Sequence, residues 1–260
     1  MKKRPLGQNF LIDFDIAENI IQLAEIQKDQ SVLEIGPGKG ILTEILIDQS
    51  HSLTAIEIDL KLSQDLKSRF GNRASFNLIH EDAAKFDFGS LGAELNIVSN
   101  LPYYAATHIM KRLIHYKSHI QSMTLMLQKE VVDRLTAEPN SKAYGSLSVY
   151  VQYHCDVQRL LEVPSTAFSP KPRIDSSLVS LKPLEQPKVQ VKDPKLFFKL
   201  VHSAFSHKRK MLKNNLRGWQ HLFSNTNGTI ELAGIDLNRR GETLSLQDFA
   251  DLANHVHIAM

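Results

Sequence analysis

The sequence has almost no cysteine, no long apolar run and no recognisable leader segment. Cys155 is the only cysteine among 260 residues, so no internal disulfide can form, and we expect this side chain to be buried as a small apolar group. No apolar run approaches the roughly 18 residues that span a bilayer. The basic start at 1–4 is followed by no apolar segment that resembles a secretory signal. These absences predict a soluble, cytoplasmic protein that does not associate with membranes.

Metal-ligating patterns are also missing. His115 and His119 are spaced so that they could share a helix face, but no third ligand and no His-Glu-x-x-His motif accompanies them. We therefore predict that the protein has no metal site.

Acidic residues are absent from two intervals that contain several cations. No Asp or Glu occurs from 95 through 129 or from 199 through 217, although the net charge of the whole chain is only +3. Clustered positive charge is typical of proteins that bind a polyanion, and a basic solvated face gives the same pattern. In the second interval, basic residues lie beside an apolar stripe of helical period between 197 and 216, so one face could pack while the other meets phosphates. The candidate phosphate contacts there are Lys208, Arg209, Lys210, Lys213 and Arg217.

Strands and helices alternate over the first two thirds of the chain. Strands are predicted over 31–35, 53–58, 76–79, 95–99, 123–127, 157–163 and 177–181, and helices over 60–70, 105–116 and 131–137. This order predicts an α/β domain over 1–184, with an open, mostly parallel sheet covered on both faces. A helix ending at Ala24 is expected to begin with a capping box of Asp15 and Glu18. Prolines at 183, 187 and 194 mark a linker, and 185–260 is predicted to form a small helical domain.

A glycine-rich turn follows the first predicted strand. The segment 34–40 reads EIGPGKG, and glycines at alternate positions let the backbone approach a ligand closely at a helix N-terminus. The dinucleotide fingerprint G-x-G-x-x-G is not met, because the third glycine comes one place early. Glu57, 21 residues after Gly36, ends the next strand and could accept hydrogen bonds from both hydroxyls of a ribose. Asp82 ends the third strand, where it could accept from an adenine amino group or simply cap a helix.

The segment 100–104 reads NLPYY and follows the fourth predicted strand. Ligands bind at the carboxyl ends of strands in an α/β sheet, so these residues are candidates for a reaction site. Asn100 offers an acceptor oxygen, and Tyr103 supplies a flat face. Pro102 biases Leu101 away from helix, so that the Leu101 carbonyl can point outward as a second acceptor. Two acceptors beside an aromatic plane match the amino group of adenine, N6; a structural loop in which Asn100 caps the next helix is the alternative.

Two further segments are candidates to contact a ligand. The loop 165–176 contains two prolines that hold it extended, so Phe168 could be presented to a ligand; a buried hydrophobic plug is the alternative. Near the start of the chain, 7–11 reads GQNFL, and Gln8 and Asn9 could bond a ligand that lies across the sheet end. A simply packed arm explains these residues equally well.

Seven motifs, taken together, resemble the ribosomal RNA adenine dimethyltransferase family, most closely its bacterial KsgA-type small-subunit branch. In chain order they are GQNFL, EIGPGKG, AIEID, EDA, NLPYY, FSPKPRIDSS and AFSHKRKMLKNNL, and they extend over nearly the whole sequence. EIGPGKG resembles motif I of S-adenosylmethionine-dependent methyltransferases. The resemblance implies a class I methyltransferase domain over 1–184, an RNA-contacting helical domain over 185–260, and N6,N6-dimethylation of two adjacent adenines near the 3′ end of 16S ribosomal RNA.

The resemblance also implies roles for individual residues. S-adenosylmethionine would be the methyl donor, and its contacts would be Asn9, Leu11, Gly36, Glu57, Asp82 and Asn100. The target adenine would be held by Asn100, Leu101, Tyr103 and Phe168. The sequence departs from the family pattern at Glu81, where many relatives have glycine, and at His207-Lys208, which replaces a more arginine-rich pair. The second departure leaves the exact RNA contacts open.

The expected partner is 16S ribosomal RNA in an immature small ribosomal subunit, bound by a monomer. An enzyme of the macrolide-resistance type, which acts on large-subunit RNA, would use the same chemistry, but Asp175-Ser176 and the NLPYY segment favour the small-subunit branch. An RNA-binding assembly factor with little catalysis is a further alternative, against which the complete set of site residues argues. A nicotinamide dehydrogenase is disfavoured by the glycine spacing.

Overall fold

The structure is a computed structural model that describes residues 8–226 and 229–259. The basic start and Gly7 of the GQNFL motif lie outside these ranges. Its main elements, in chain order, are β1 (Phe10–Leu11), α1 (Phe14–Leu23), β2 (Ser31–Ile35), α2 (Ile41–Gln49), β3 (Ser52–Glu57), α3 (Leu60–Phe70), β4 (Phe76–His80), β5 (Leu95–Asn100), α4 (Ala106–His115), β6 (Ile120–Gln128), α5 (Lys129–Leu135), α6 (Ser146–His154), β7 (Cys155–Val163), β8 (Phe168–Ser169), β9 (Ser176–Pro183), α7 (Pro194–Ala204), α8 (Leu212–Asn215), β10 (Ser224–Thr226), β11 (Thr229–Leu232), β12 (Ile235–Asp236) and α9 (Leu246–Ala259).

The chain divides into two compact units. The first contains the chain up to 132 together with 156–185, and the second contains 133–155 together with the chain from 186 onward. The division after Glu185 lies next to the boundary that the sequence predicts between the two domains. The structure also places α6 in the second unit, because Tyr153 on α6 packs against Phe197 on α7 with ring centroids 5.0 Å apart.

The first unit is built on a seven-stranded sheet with the strand order β4-β3-β2-β5-β6-β9-β7. Neighbouring strands from β4 to β6 in this order pair in parallel, and β9 runs antiparallel to β6. Strands β2 and β5 are almost entirely buried, as a parallel sheet with both faces covered requires. The predicted α/β fold with a mostly parallel sheet is confirmed. Because β2, β3, β4 and β5 run in one direction, their carboxyl ends meet at one edge of the sheet.

Helix α1 begins two residues earlier than the sequence predicts. Asp13 is the N-cap: its backbone is extended, and its Oδ1 accepts a hydrogen bond from the Ile16 N–H at 3.1 Å. Asp15 lies in the first helical turn instead, so the predicted capping box of Asp15 and Glu18 is wrong. At the start of β7, Cys155 is fully buried, as predicted.

The second unit differs from the purely helical domain that the sequence predicts. Helices α7 and α9 pack together, but strands β10, β11 and β12 form a three-stranded antiparallel sheet. Ala233 and Gly234 both have positive φ, of 55° and 74°, and form the tight turn between β11 and β12. The prediction that everything after the linker is helical is therefore wrong.

The apolar stripe between 197 and 216 also does not form one helix. Helix α7 ends at Ala204, a turn follows, and α8 covers only Leu212–Asn215. The Asn215 side-chain amide donates to the carbonyl of Ala204 at 2.7 Å and to the carbonyl of His207 at 3.1 Å. These bonds satisfy carbonyls that a continuing helix would have paired, so the turn is stable.

None of the helices in the described parts of the chain is long and apolar enough to cross a membrane. Within the same residues, no three His, Cys, Asp or Glu side chains come together in a way that could hold a metal ion.

Candidate active site

A cleft opens in the first unit where the ends of β2, β3, β4 and β5 meet. The space within it, counted together with the open solvent at its mouth, is about 930 Å³. Its walls come from the arm around β1, the glycine-rich turn, the strand ends and the NLPYY segment. The predicted site residues that line it are Asn9, Leu11, Gly36, Glu57, Asp82, Asn100, Leu101 and Tyr103. Residues from five segments of the sequence thus reach one cleft.

The glycine-rich turn brings backbone close to the floor of the cleft. Gly40, the N-cap of α2, has φ of +79°, and a Cβ at this position would lie 2.8 Å from a methyl carbon of Leu66. At Gly38, φ is +60° and a Cβ would lie 3.0 Å from the Phe10 ring. Among residues 8–226 and 229–259, no side chain caps α2. The N–H groups of its first turn, which have no partner within the helix itself, therefore suit a polar or anionic part of a ligand.

Glu57 is a buried carboxylate that the backbone holds in a fixed orientation. Its Oε2 accepts from the Gly38 N–H at 3.2 Å, and its Oε1 accepts from the Asp59 N–H at 2.8 Å. Burial raises the pKa of Glu57, and these backbone hydrogen bonds partly oppose the increase. Each oxygen keeps a second lone pair, so both can still accept from hydroxyl groups of a ligand. The arrangement fits the predicted role in binding a ribose.

Glu34 lies beneath the glycine-rich turn, and the sequence predicts no role for it beyond the motif. It is only 2 % exposed, and its Oε2 accepts a hydrogen bond of 2.6 Å from the Thr43 hydroxyl. Burial raises the pKa of Glu34 from 4.5 to about 8; the Thr43 bond opposes the increase and the nearby Glu57 adds to it. Glu34 is therefore mainly protonated at neutral pH.

The raised pKa of Glu34 predicts a specific pH dependence of stability. As pH rises through 4.5 the unfolded chain loses this proton first, so the folded state loses stability until the folded carboxyl also ionises near pH 8. Below this interval, and above it, the contribution of Glu34 is constant. Within the interval, the contribution of Glu34 to the free energy of unfolding cannot change by more than about 1.4 kcal/mol per pH unit.

Replacement by glutamine removes the ionisation and keeps an acceptor for Thr43. Between pH 5 and 8 we expect the free energy of unfolding of the parent to decrease relative to that of Glu34→Gln. Urea titrations of both proteins at matched pH values measure this difference. A parallel pair of curves would show that Glu34 is ionised throughout.

Asn100 ends β5, Leu101 follows it, and both line the cleft. Asn100 pairs with Met126 in the register between β5 and β6, and its half-buried amide has no hydrogen-bond partner among residues 8–226 and 229–259. The Leu101 N–H donates to the Met126 carbonyl at 3.2 Å, which fixes this peptide against the sheet. The predicted alternative, a cap made by the Asn100 side chain, is not observed, since α4 begins after Ala105 without a side-chain cap.

The two tyrosines of the segment have different surroundings. The Tyr103 hydroxyl lies 2.6 Å from the Ser176 hydroxyl, and the ring is partly buried at the cleft wall. Tyr104 also lines the cleft but is 60 % exposed. Burial is the main cause that raises the pKa of both phenols, so both are neutral at physiological pH. In the sequence, Ser176 counts only as part of the FSPKPRIDSS motif that favours the small-subunit branch, and no contact with Tyr103 is predicted.

The acidic segment after β4 forms another wall. The Asp82 Oδ1 accepts from the Ala84 N–H at 2.9 Å, so this carboxylate orders its own turn, and it also faces the cleft. Both interpretations of Asp82 from sequence, a local cap and a ligand acceptor, are thus compatible with the structure. Glu81, the departure from the family pattern, lies at the cleft as an exposed side chain.

The arm and the Phe168 loop meet in a short two-stranded sheet. Strand β1 pairs with β8, with Leu11 opposite Phe168 and Phe10 opposite Ser169. The Phe168 side chain is only 3 % exposed and belongs to the same core cluster as Leu11 and Leu178. The expectation that Phe168 is presented to a ligand is therefore wrong for this structure, because pairing with the arm turns its ring into the core. Its contact with a target base stays a prediction.

The predicted basic residues are only partly available to a polyanion. The Lys208 ammonium donates to the carbonyls of Tyr144 at 3.1 Å and Lys142 at 3.3 Å, and Lys213 donates to the Asn238 side chain at 2.8 Å. Arg209 and Lys210 are exposed on the turn after α7, and Arg217 is exposed beyond α8.

In the first acid-free interval, from 95 through 129, several cations already have partners within the protein. Arg112 donates to the Phe86 carbonyl at 2.6 Å, and Lys117 donates to the Leu184 carbonyl at 2.6 Å. Lys129 forms an ion pair with Glu162. These cations stabilise the first unit, so they do not by themselves indicate a phosphate-binding surface.

Comparisons with known proteins identify the family and the fold. A model of the family "Ribosomal RNA adenine dimethylase" matches residues 1–257. A "Ribosomal RNA small subunit methyltransferase A" from Clostridium acetobutylicum is 43 % identical over 255 residues, which cover 97 % of this chain and 92 % of that protein. A dimethyladenosine transferase from Plasmodium falciparum has a similar crystal structure, with a TM-score of 0.75, 25 % identity, and coverage of 94 % of this chain and 95 % of that one. The 23S rRNA methyltransferase ErmE shares the fold, with a TM-score of 0.72, 20 % identity, and coverage of 96 % and 100 %.

Proposed function

The chain belongs to the ribosomal RNA adenine dimethylase family, and we propose that it dimethylates N6 of two adjacent adenines near the 3′ end of small-subunit (16S) ribosomal RNA. It is an rRNA adenine dimethyltransferase, and S-adenosylmethionine supplies the methyl groups. The observation that carries the proposal is the pair of acceptors at Asn100 and Leu101, beside the Tyr103 ring, in the same cleft as the buried carboxylate of Glu57.

The hydrogen-bonding groups that line the cleft fit the proposed methyl donor. The Glu57 carboxylate, held by two backbone N–H groups, provides oriented lone pairs for two ribose hydroxyls. Asp82 provides an acceptor for an adenine amino group, and the turn at Gly36 brings backbone against the ligand. When bound, S-adenosylmethionine supplies an electrophilic methyl group on a sulfonium. We propose that Asn9 and Leu11 of the arm, which line the cleft, also contact this ligand.

The acceptors at the end of β5 would activate the target amine. The lone pair of adenine N6 is delocalised into the ring, which makes this nitrogen a weak nucleophile. The Asn100 Oδ1 and the Leu101 carbonyl can accept its two N–H groups, localise the lone pair out of the ring plane and direct it at the methyl group. Placed dipoles and orientation of this kind contribute several kcal/mol to catalysis. Once the methyl group has moved, the nitrogen is cationic and acidic, and its proton can leave to water.

The target base must leave its stack to reach this cleft. Tyr103 offers a ring at the cleft wall, and stacking contributes roughly 1 to 3 kcal/mol per base. Phe168 can supply a second ring only if its side chain leaves the core. In the conformation observed, stacking on the target base therefore falls to Tyr103.

The choice of RNA separates this proposal from its alternatives. We propose that the partner is 16S ribosomal RNA in an immature small subunit, that the enzyme acts as a monomer, and that it is located in the cytoplasm with that RNA. Transfer of labelled methyl groups to naked 16S RNA, immature small-subunit particles and large-subunit RNA would be compared. Preferential labelling of the small-subunit substrates supports the proposal. Labelling of large-subunit RNA alone would indicate an enzyme of the macrolide-resistance type. If no RNA were labelled, the protein would be an RNA-binding assembly factor with little catalysis.

We propose that the exposed turn after α7 contributes to RNA binding through phosphate charge. Replacing Arg209 and Lys210 by Gln should make the slope of log affinity against log salt less steep by roughly 0.7 to 0.9 for each lost contact. Filter binding to 16S RNA at several salt concentrations measures this slope.

The control variant carries Lys61→Gln and Lys67→Gln, which also remove two exposed cations but on α3. It should show the same salt slope as the parent. Equal slopes for the parent and the Arg209 and Lys210 variant would make this turn a solvated surface without phosphate contacts.

A further inference from the structure

Ser176 and Tyr103 form a side-chain hydrogen bond that neither the family resemblance nor the proposed mechanism uses. Their hydroxyl oxygens lie 2.6 Å apart, across 73 residues of sequence. Ser176 is fully buried, whereas the Tyr103 ring is partly exposed at the cleft wall. The bond therefore links a fixed point inside the fold to a side chain that faces the ligand.

Several contacts fix the position of Ser176. It is the first residue of β9 and pairs with Gln128 at the end of β6, which places it at the same sheet edge as Asn100. The preceding residue is also held: the Asp175 carbonyl accepts from the Lys129 N–H at 3.0 Å, and its Oδ1 accepts from the Ser165 N–H at 2.8 Å. The Ser176 hydroxyl thus has little freedom to move with Tyr103.

The bond acts at the end of the tyrosine side chain that is farthest from the backbone. Of the two torsions that orient a tyrosine ring, χ1 moves the phenol oxygen, whereas χ2 turns the ring about the axis on which that oxygen lies. An anchor at this oxygen therefore fixes where the ring lies in the cleft. We propose that Ser176 is a positioning residue of the methyl-transfer site, which holds the Tyr103 ring at the place where it stacks on the target adenine. This inference rests on the proposed function, because it assigns the ring to that base.

A double-mutant cycle tests the inference. Single-turnover methyl transfer is measured at saturating RNA and S-adenosylmethionine for the parent, Ser176→Ala, Tyr103→Phe and the double variant. We expect each single variant to be slower by about 2- to 10-fold, the scale of one hydrogen bond. The double variant should be no slower than Tyr103→Phe, because phenylalanine has no hydroxyl for Ser176 to hold. RNA affinity should change little, since phosphate contacts dominate it.

The adjacent Ser177 provides a matched control. It is equally buried on β9, but its hydroxyl has no hydrogen-bond partner among the described residues. Ser177→Ala should therefore transfer methyl groups at the parental rate. A second readout does not depend on activity: in carbon-13 spectra of tyrosine-labelled protein, the Cζ signal that Tyr103→Phe removes should move in Ser176→Ala and stay in place in Ser177→Ala.

Three results would overturn the inference: a parental rate for Ser176→Ala, an equal slowing by Ser176→Ala in the Tyr103→Phe background, or an unmoved Cζ signal. If the proposed function were wrong, the result would differ from all three of these, because the parent itself would transfer no methyl group to adenine N6. The inference would then also be wrong, since it rests on that function.

Discussion

Asn100→Ala should lower the rate of methyl transfer by about 10²-fold or more, the scale for losing one preorganised hydrogen-bond partner of the reacting group. The Asn100 amide faces the cleft and has no partner in the described part of the chain, so its removal breaks no observed side-chain bond. Affinity for RNA should change little, because phosphate contacts dominate it. Single-turnover transfer at saturating RNA and S-adenosylmethionine isolates the affected step.

Two further variants sharpen this result. Asn100→Asp keeps an acceptor oxygen but places a negative charge beside the sulfonium, so we expect tighter binding of S-adenosylmethionine together with slow transfer. Asn77→Ala removes an exposed amide on β4, away from the cleft lining, and should react at the parental rate. If the folded Asn100→Ala variant reacted at near the parental rate, Asn100 would be structural and the activation of N6 would need another explanation.

Glu57→Ala should weaken binding of S-adenosylmethionine by roughly 1.5 to 3 kcal/mol, which is about 10- to 150-fold, because it removes the carboxyl acceptor for two ribose hydroxyls. Titration calorimetry measures this change directly. Glu57→Gln keeps one acceptor and the shape of the side chain, so its affinity should lie between those of the parent and the Ala variant.

Glu81→Ala is the control for general charge effects in the cleft. Glu81 is an exposed carboxylate on the same cleft, and its removal should change the affinity far less. Equal affinity of the parent and a folded Glu57→Ala variant would remove Glu57 from the cofactor site. A similar loss in both variants would instead indicate a nonspecific effect of net charge.

The sheet and the residues at its edge follow from local sequence patterns. Asn100, Glu57 and Asp82 each come directly at or after the end of a parallel strand, and all parallel strands end at one edge of the sheet. Short-range periodicity is enough to locate such strand ends. This is why these three residues could be placed at one edge of the sheet from the sequence.

Features that depend on distant partners could not be predicted in this way. The burial of Phe168 depends on the pairing of β8 with β1, far away in the sequence. The hydrogen bond between Ser176 and Tyr103 joins residues that are 73 positions apart in the sequence. Likewise, composition cannot show that Arg112 and Lys117 donate hydrogen bonds to backbone carbonyls. Nor can it show that the Asn215 side chain donates to the carbonyl of Ala204 and so stabilises the end of α7.

The most direct test of the central claim is the chemical identity and position of the product. Purified protein is incubated with S-adenosylmethionine and small-subunit particles that lack the modification, and the 16S RNA is digested for mass spectrometry of its nucleosides and fragments. We predict N6,N6-dimethyladenosine at two adjacent positions near the 3′ end, with little product from Asn100→Ala. Methylation at another atom or base, or an unmodified 16S RNA with the parental protein, would contradict the account.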